Sequence, residues 1–409
     1  MKKLLILAAI AAATMFAHGA GFGIYEASAR GNAMGGAVVG DTHDATAAYH
    51  NPANLAFATN VMVSTGVTFI NPYCDVEVNH RSQNRMNPGW FTVPTFYATI
   101  PLPFDFAFGW GNYTEYGLGT KYGSRWRLAG DTQKTTMEQV TLNPNLAYKI
   151  TDWWSVSAGI RGSYIRFLNH KKPYYEPGGI FDLNSKLKGD DWDMGWNAAT
   201  TFKPTDDLSI GLVYRSQIRH KIKGYFDLDG LVAGVLPQHD HTYASAKLRL
   251  PESLTLGVNY NVTPRYRVGS AITYTRWSRL DKIAFKIGHN RSYTQTFDWQ
   301  DTVRVGFGME SDFLDWLSGR IGYIFDEDPT SKHHQSTMLP AGDRHIIGTG
   351  LGFKITENLT LDLGYNFIRM NNEHYFVTYD TAPGVKAEKR MSCRNGFSHL
   401  VSATLSYSF

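Results

Sequence analysis

The chain has 409 residues, a formal net charge of +4 and two cysteines. So small a charge over this length, with no basic block, argues against nucleic acid, and two distant cysteines frame no metal site without other ligands at the right spacing. No segment beyond the N-terminus runs about 18 apolar residues without charge, which excludes membrane insertion by helices.

Lys2 and Lys3 precede an apolar run from Leu4 to Ala13, and Ala17-His18-Gly19 places small residues before a cut at Ala20. Residues 1–19 therefore read as a secretory signal peptide. Residues 20–59 are rich in Ala and Gly, lack sustained alternation and carry the breaker Asn51-Pro52. They read as a compact segment of short helix and loop.

Residues 60–409 alternate. In Leu359–Phe367, Leu361, Leu363 and Tyr365 oppose Thr360, Asp362 and Gly364, and Val303–Glu310 and Leu208–Arg215 behave alike. Successive strand side chains point to opposite faces, so each segment has a greasy and a wet face. The last segment, Gly396–Phe409, sets Phe397, Val401, Leu405, Tyr407 and Phe409 against Ser398, Ser402, Thr404 and Ser406. A closing strand that ends on an aromatic residue is the mark of an outer-membrane barrel.

Short turns at 101–103, 151–152, 204–207, 263–265, 312–315 and 356–358 alternate with longer polar stretches near 79–89, 117–133, 170–188, 226–241, 288–294, 328–342 and 379–393. Six short and seven long connections join 14 strands, the short turns periplasmic and the long loops extracellular. The expected fold is all-β and transmembrane: a 14-stranded antiparallel outer-membrane β-barrel, with an N-terminal, partly helical hatch plugging the lumen. A lumen of that width has room for a folded segment of this size.

Several stretches are similar to the FadL/TodX family of outer-membrane transporters for long-chain fatty acids and other hydrophobic compounds. They are Ala20-Gly21-Phe22, Asn51-Pro52-Ala53, Lys188-Gly189-Asp190-Asp191-Trp192, Gly195-Trp196-Asn197-Ala198, Tyr214-Arg215-Ser216, Leu250-Pro251-Glu252, Thr275-Arg276-Trp277-Ser278, and Leu339-Pro340 with Asp343-Arg344. The resemblance spans essentially the whole mature chain. It implies passive diffusion of a hydrophobic ligand past the hatch and lateral exit through a kinked third strand.

That strand falls at about 104–116, where Gly109, Gly111 and Gly117 either form the kink or relieve crowding in the lumen. By position in the family pattern, Phe22 would wall the pocket and Arg166 would meet a carboxylate. Where the fatty-acid branch has a lysine before Trp299-Gln300-Asp301, this chain has Gln295, with Arg291 four residues earlier. Half of the carboxylate clamp is thus missing or displaced, which keeps neutral hydrophobes open. Asn51, Pro52 and Ala53 form the hatch motif.

No cofactor, metal or catalytic set is expected. His239-Asp240-His241, His333-His334 and Asp326-Glu327-Asp328 read as solvated loop groups. Expected partners are a hydrophobic small molecule, outer-membrane lipid and lipopolysaccharide, and the barrel-assembly machinery through the Phe409 strand, the chain being a monomer. Closure makes the first and last strands neighbours, so Cys74 and Cys393 approach near the extracellular rim. A disulfide is open to them unless shear leaves their Cα atoms more than about 7 Å apart. Two other readings stand beside transport: an adhesin or structural barrel acting through its extracellular loops, and a barrel enzyme.

Overall fold

The computed structural model describes residues 21–79, 82–86, 89–123, 126–174, 179–232, 234, 236–382 and 385–409. The expected signal peptide, residues 1–19, lies outside the described residues. Fourteen antiparallel strands close into a barrel. They are β1 (Met62–Val78), β2 (Ser82–Met86 and Phe91–Pro101), β3 (Phe106–Tyr113 and Leu118–Lys121), β4 (Lys134–Thr151), β5 (Trp154–Lys171), β6 (Phe181–Thr205) and β7 (Leu208–Arg215 and Ile218–Val232). There follow β8 (Leu236–Leu250 and Ser253–Thr263), β9 (Tyr266–Thr275 and Lys282–Ile287), β10 (Arg291–Thr296 and Thr302–Leu314), β11 (Leu317–Asp326), β12 (Arg344–Lys354), β13 (Leu359–Met370 and Glu373–Ala382) and β14 (Val385–Ser408).

β14 closes on β1 along a ladder from Met62↔Ser408 to Val78↔Met391. Val401, Leu405 and Tyr407 face outward and exposed, while Ser402 and Thr404 are buried in the lumen. The six short turns fall where expected. Most of the expected long loops do not: Ser82–Met86, inside 79–89, pairs with β1, and Arg291, inside 288–294, pairs with Ile287. β6 resumes at Phe181, the β7–β8 ladder runs out to Val232↔Leu236, and the β13–β14 ladder runs to Ala382↔Val385. Above the apolar belt both faces of a hairpin meet water, so hydropathy stops alternating while the backbone ladder continues.

The hatch holds two short helices, α1 (Ala29–Ala33) and α2 (Ala47–His50), and a 3-10 turn over Pro52–Phe57. Helices this short are unstable alone, so the wall must hold them. Ser28 caps α1, its Oγ accepting the Gly31 N–H at 3.1 Å and bonding His50 Nε2 at 2.8 Å. On β10 an added Cβ at Gly306 would lie 2.0 Å from the Gly35 carbonyl oxygen, and one at Gly308 2.2 Å from that of Met34. Only glycine lets the hatch backbone lie directly on this wall.

Charge completes the seat. Glu310 of β10, 4% exposed, takes Arg30 of α1 at 2.9 Å, Arg267 of β9 at 2.7 Å, and Arg320 of β11, which also reaches Asp362. The Asn51-Pro52-Ala53 motif anchors the other end. Asn51 Nδ2 donates to the Val39 carbonyl at 2.9 Å and to Thr201 Oγ1 of β6 at 2.8 Å, while its Oδ1 accepts the Ala53 N–H. Pro52 opens the 3-10 turn, and the Ala53 carbonyl accepts Ser155 Oγ of β5 at 2.8 Å.

Cys74 and Cys393 are disulfide-bonded, with Cα atoms 6.3 Å apart, and their neighbours Val76, Val78, Val377 and Met391 are buried. Over this rim the loop after β3 packs the stacked Tyr122 and Trp126. Its half-buried Asp131 accepts the Thr337 N–H and Oγ–H and the Ser336 Oγ–H of the β11–β12 loop. In the same loop burial raises the Asp328 carboxyl to about 7; two bonds from Thr330 oppose the rise and Asp343 adds to it. Of Asp326, Glu327 and Asp328, expected as a solvated acidic loop, the first two are buried and Asp328 is half-buried. Asp326 meets Arg344 at 3.0 Å, and Glu327 accepts the Val303 N–H.

Two outcomes follow. Glu310→Gln strips the buried Arg30 of its carboxylate and leaves Arg267 to Asp312 alone and Arg320 to Asp362 alone, at a cost of about 3–5 kcal/mol, read as an earlier guanidinium-unfolding midpoint. Folding raises the Asp328 pKa from the ordinary 3.8 to about 7, so the folded loop binds the proton more tightly than the unfolded one. Loop stability is therefore full below about pH 4 and falls as pH rises through 7. The hydrogen-exchange protection factors across residues 327–343, taken relative to the intrinsic base-catalysed rate, are expected to fall over that interval, and Asp328→Asn to flatten the dependence.

Candidate functional site

The site grows from the first described residues. Gly21–Ile24 run beside the interruption of β3, with a Gly23↔Tyr116 bridge, Ile24 N–H donating to the Glu115 carbonyl at 2.8 Å and Gly117 N–H to the Phe22 carbonyl at 3.0 Å. The expected third strand, 104–116, thus runs regularly from Phe106 to Tyr113, breaks over 114–117 and resumes at Leu118. Gly117 sits at the break, where an added Cβ would lie 2.4 Å from Ile24 Cδ1. Gly109 and Gly111 do not form the kink. They stay in the ladder opposite Thr99 and Tyr97, and added Cβ atoms would strike Leu55 and Tyr113. Their absent side chains relieve crowding against the hatch and the wall.

Polar groups of β4 and β5 hold the break. Gln139 Oε1 accepts the Glu115 N–H at 2.9 Å, and its Nε2 donates to Thr141 and Ser163. Glu115 meets Arg161 at 2.5 Å and Arg215 at 3.5 Å, all three facing the lumen. Buried charges need such pairing.

Above Phe96↔Asn112, β2 has no rung to β3 among the described residues, and Leu118–Lys121 pairs with β4. A cavity of about 430 Å³ occupies this gap. Phe22, Ile24, Met137 and Leu339 line its inner part, and Thr92, Pro94, Glu138 and Val140, exposed on the outer face, line its mouth. Side chains from both faces of one sheet line the same space, so the cavity crosses the wall.

Phe22 separates it from an aromatic nest. Its ring lies 4.9 Å from that of Trp277, 5.5 Å from Trp299 and 5.9 Å from Tyr116. Both tryptophans stand where β9 and β10 interrupt their ladders, over 276–281 and 297–301, and turn inward. A second cavity behind them, walled by Ile222, Leu248, Phe285 and Phe297, measures about 30 Å³. That is room for a water or a methyl group. The buried Trp299 Nε1–H has no acceptor in the structure, and the small cavity beside it presents apolar surface alone. Nothing in the strand alternation marked the two tryptophans as pocket residues; the signal was an aromatic inside a ladder interruption.

The two arginines expected at the site are elsewhere. Arg166 is exposed on the outer parity of β5, between the inward Ile165 and Phe167, and its rungs face Glu138 and Asp190. Arg291 opens β10 above the wall, 54% exposed, paired with Asp240. A one-residue change in strand parity sends a side chain to the opposite face. Among the lining residues of the large cavity the one cation is Arg344, already paired with Asp326.

A Ser–His–Asp contact does form: Ser163 Oγ lies 3.2 Å from His220 Nε2, and His220 Nδ1 3.2 Å from Asp191 Oδ2. Ser163 is fully buried, its Oγ takes the Gln139 amide, and neither Ser163 nor His220 lines either cavity. A carbonyl must come within about 3 Å of a nucleophile to react, so this trio braces β5, β6 and β7. His239 and His241 are exposed and bonded to Asp229 and Asp227. Among the described residues no cluster of potential ligands could hold a metal ion.

Residues 10–409 match the family model described as outer membrane protein transport protein (OMPP1/FadL/TodX). The chain is 25% identical to outer membrane protein P1 of Haemophilus influenzae, over 92% of each. It is 24% identical to the long-chain fatty acid transport protein of Escherichia coli strain CFT073, over 90% of each. A crystal structure of a Pseudomonas aeruginosa FadL homologue superposes with a TM-score of 0.85 at 20% identity, covering 95% of this chain and 100% of that one. The Pseudomonas putida toluene transporter TodX gives 0.74 at 17% identity, with 93% and 98% covered. A hatch-plugged barrel of 14 strands matched along nearly its whole length identifies the chain as an outer-membrane protein that belongs to the OMPP1/FadL/TodX family of transport proteins.

Proposed function

We propose that the protein passes hydrophobic small molecules, long-chain fatty acids or aromatic hydrocarbons, across the outer membrane by passive diffusion, with lateral exit through the break in β3. The cavity that joins the Phe22 nest to the outer face of the wall carries this reading. An apolar solute that stays in it avoids the aqueous periplasm, a gain of about 25 cal/mol per Å² of apolar surface. About 150 Å³ takes a benzene ring, so 430 Å³ takes a ring with substituents or a folded chain. The relatives' names span both ligand classes. With Arg166 and Arg291 away from the cavity and Arg344 engaged, the lining favours neutral hydrophobes, held by apolar contact.

In this reading residues 1–19 are removed, residues 20–59 act as the hatch, and residues 60–409 form the wall. The protein works as a monomer in lipid and lipopolysaccharide, assembled through the β14 strand and its exposed Phe409. Phe22 is the gate between the two cavities. The Gly117 break is the exit, and the buried Ser163 trio does no chemistry.

Two measurements bear on this. Phe22→Ala is expected to cut uptake of a radiolabelled hydrocarbon while the barrel keeps its folded, heat-modifiable gel mobility; unchanged uptake would remove Phe22 from the path. Val140→Trp, at the outer mouth, is expected to slow exit about tenfold, equivalent to about 1.4 kcal/mol on the barrier, whereas Leu256→Trp on the lipid face of β8 leaves uptake at the parent rate. Equal uptake by both tryptophan variants would place the exit elsewhere.

A further inference from the structure

The outer face of β7 and β8 changes character at one height. On β7 the outward side chains run Leu208, Ile210, Leu212 and Tyr214, then Arg219, Lys221 and Lys223. On β8 they run from Leu256 and Leu254 to Arg249 and Lys247, and Lys286 of β9 stands beside them. All six cations are exposed. The backbone register sets Arg219 opposite Arg249 and Lys221 opposite Lys247.

Like charges directly opposite in a sheet, with Cβ atoms about 5 Å apart, destabilise it. Nearby carboxylates do little to offset them. Asp227 is taken by His241 and Lys188, Asp240 by Arg291, and Asp191 by His220 and the Lys221 N–H. Asp190, opposite Lys223, is the one acid in these rungs. The height supplies the missing counter-charge. Eleven residues separate Leu208 from Arg219, which is about 28 Å along the membrane normal for a strand tilted by about 40°. That clears an apolar belt about 25 Å tall and puts the patch at the outer-leaflet headgroups. Just above, Tyr225 and Tyr243 expose rings that suit a sugar face.

We infer that the outer face of β7–β9 is a binding site for the phosphorylated glucosamine headgroup of lipid A. Its phosphates neutralise the opposed Arg219–Arg249 and Lys221–Lys247 pairs, and its acyl chains lie along Leu212, Leu254 and Leu256. The site orients the barrel in its leaflet and is independent of the transported ligand.

The test is native mass spectrometry of the full protein in detergent, titrated with bis-phosphorylated lipid A or with enzymatically dephosphorylated lipid A. The parent is expected to retain the phosphorylated form, and the Lys221→Gln/Lys247→Gln/Arg249→Gln variant to bind it at least about tenfold more weakly. Lys247→Glu separates binding from folding. It faces Lys221 with an opposite charge, so it is expected to raise the unfolding midpoint in lipid-A-free detergent while weakening lipid A binding. Equal retention of dephosphorylated lipid A, full affinity in the triple variant, or displacement by millimolar inorganic phosphate would each overturn the site, the last by reducing it to a simple anion patch.

Discussion

A sheet in hydrocarbon cannot leave backbone N–H and C=O groups unpaired, because no water is there to take them. The β1–β14 ladder meets that demand for the barrel as a whole. At the break in β3 the demand is met from inside: Phe22, Gly23 and Ile24 supply the missing partners, and the Gln139 side chain supplies another. The position of the hatch N-terminus and the integrity of the wall are thus one feature. Withdrawing Phe22–Ile24 would both empty the aromatic nest and strip the break of its hydrogen bonds.

The hatch is held unevenly. Its body is tied by the buried Glu310 cluster, by Asn51 and by backbone lying on Gly306 and Gly308. Breaking a buried ion cluster by removing one member costs several kcal/mol, so that end stays in place. Its first residues are tied by the two backbone hydrogen bonds of the Gly23↔Tyr116 bridge and by ring packing. Motion confined to Gly21–Ile24 would enlarge the 30 Å³ cavity toward the 430 Å³ one without unseating the plug.

The extracellular end is built for rigidity. The disulfide joins the closing strands where the ladder shifts register at Tyr73/Asp75, and the Asp131–Thr337 contacts tie the β3 loop to the β11–β12 loop above the cavity. A disulfide of this kind contributes about 2–4 kcal/mol, and half-buried acids make the loop contacts sensitive to pH.

The amino-acid sequence by itself determined the strand count, the closure, the six short turns, the hatch and the meeting of Cys74 with Cys393. Alternation has a period of two and survives without tertiary information, and closure makes the chain ends neighbours. The family pattern, not the residues alone, singled out Phe22 and Asn51-Pro52-Ala53, and nothing in it told that Asn51 bonds Thr201 across the lumen. The tertiary structure alone decided where β3 breaks, because that depends on Ile24 and Gln139 meeting residues 114–117 rather than on which glycines are nearby. It decided that Arg166 faces outward, one residue off the inward parity of Arg161, Ser163 and Ile165 on the continuous β5. It decided that Trp277 and Trp299 leave the wall, because an inward turn is set by the space the hatch leaves in the lumen. The cations of β7 and β8 were legible as residues, but only the register placed them opposite one another.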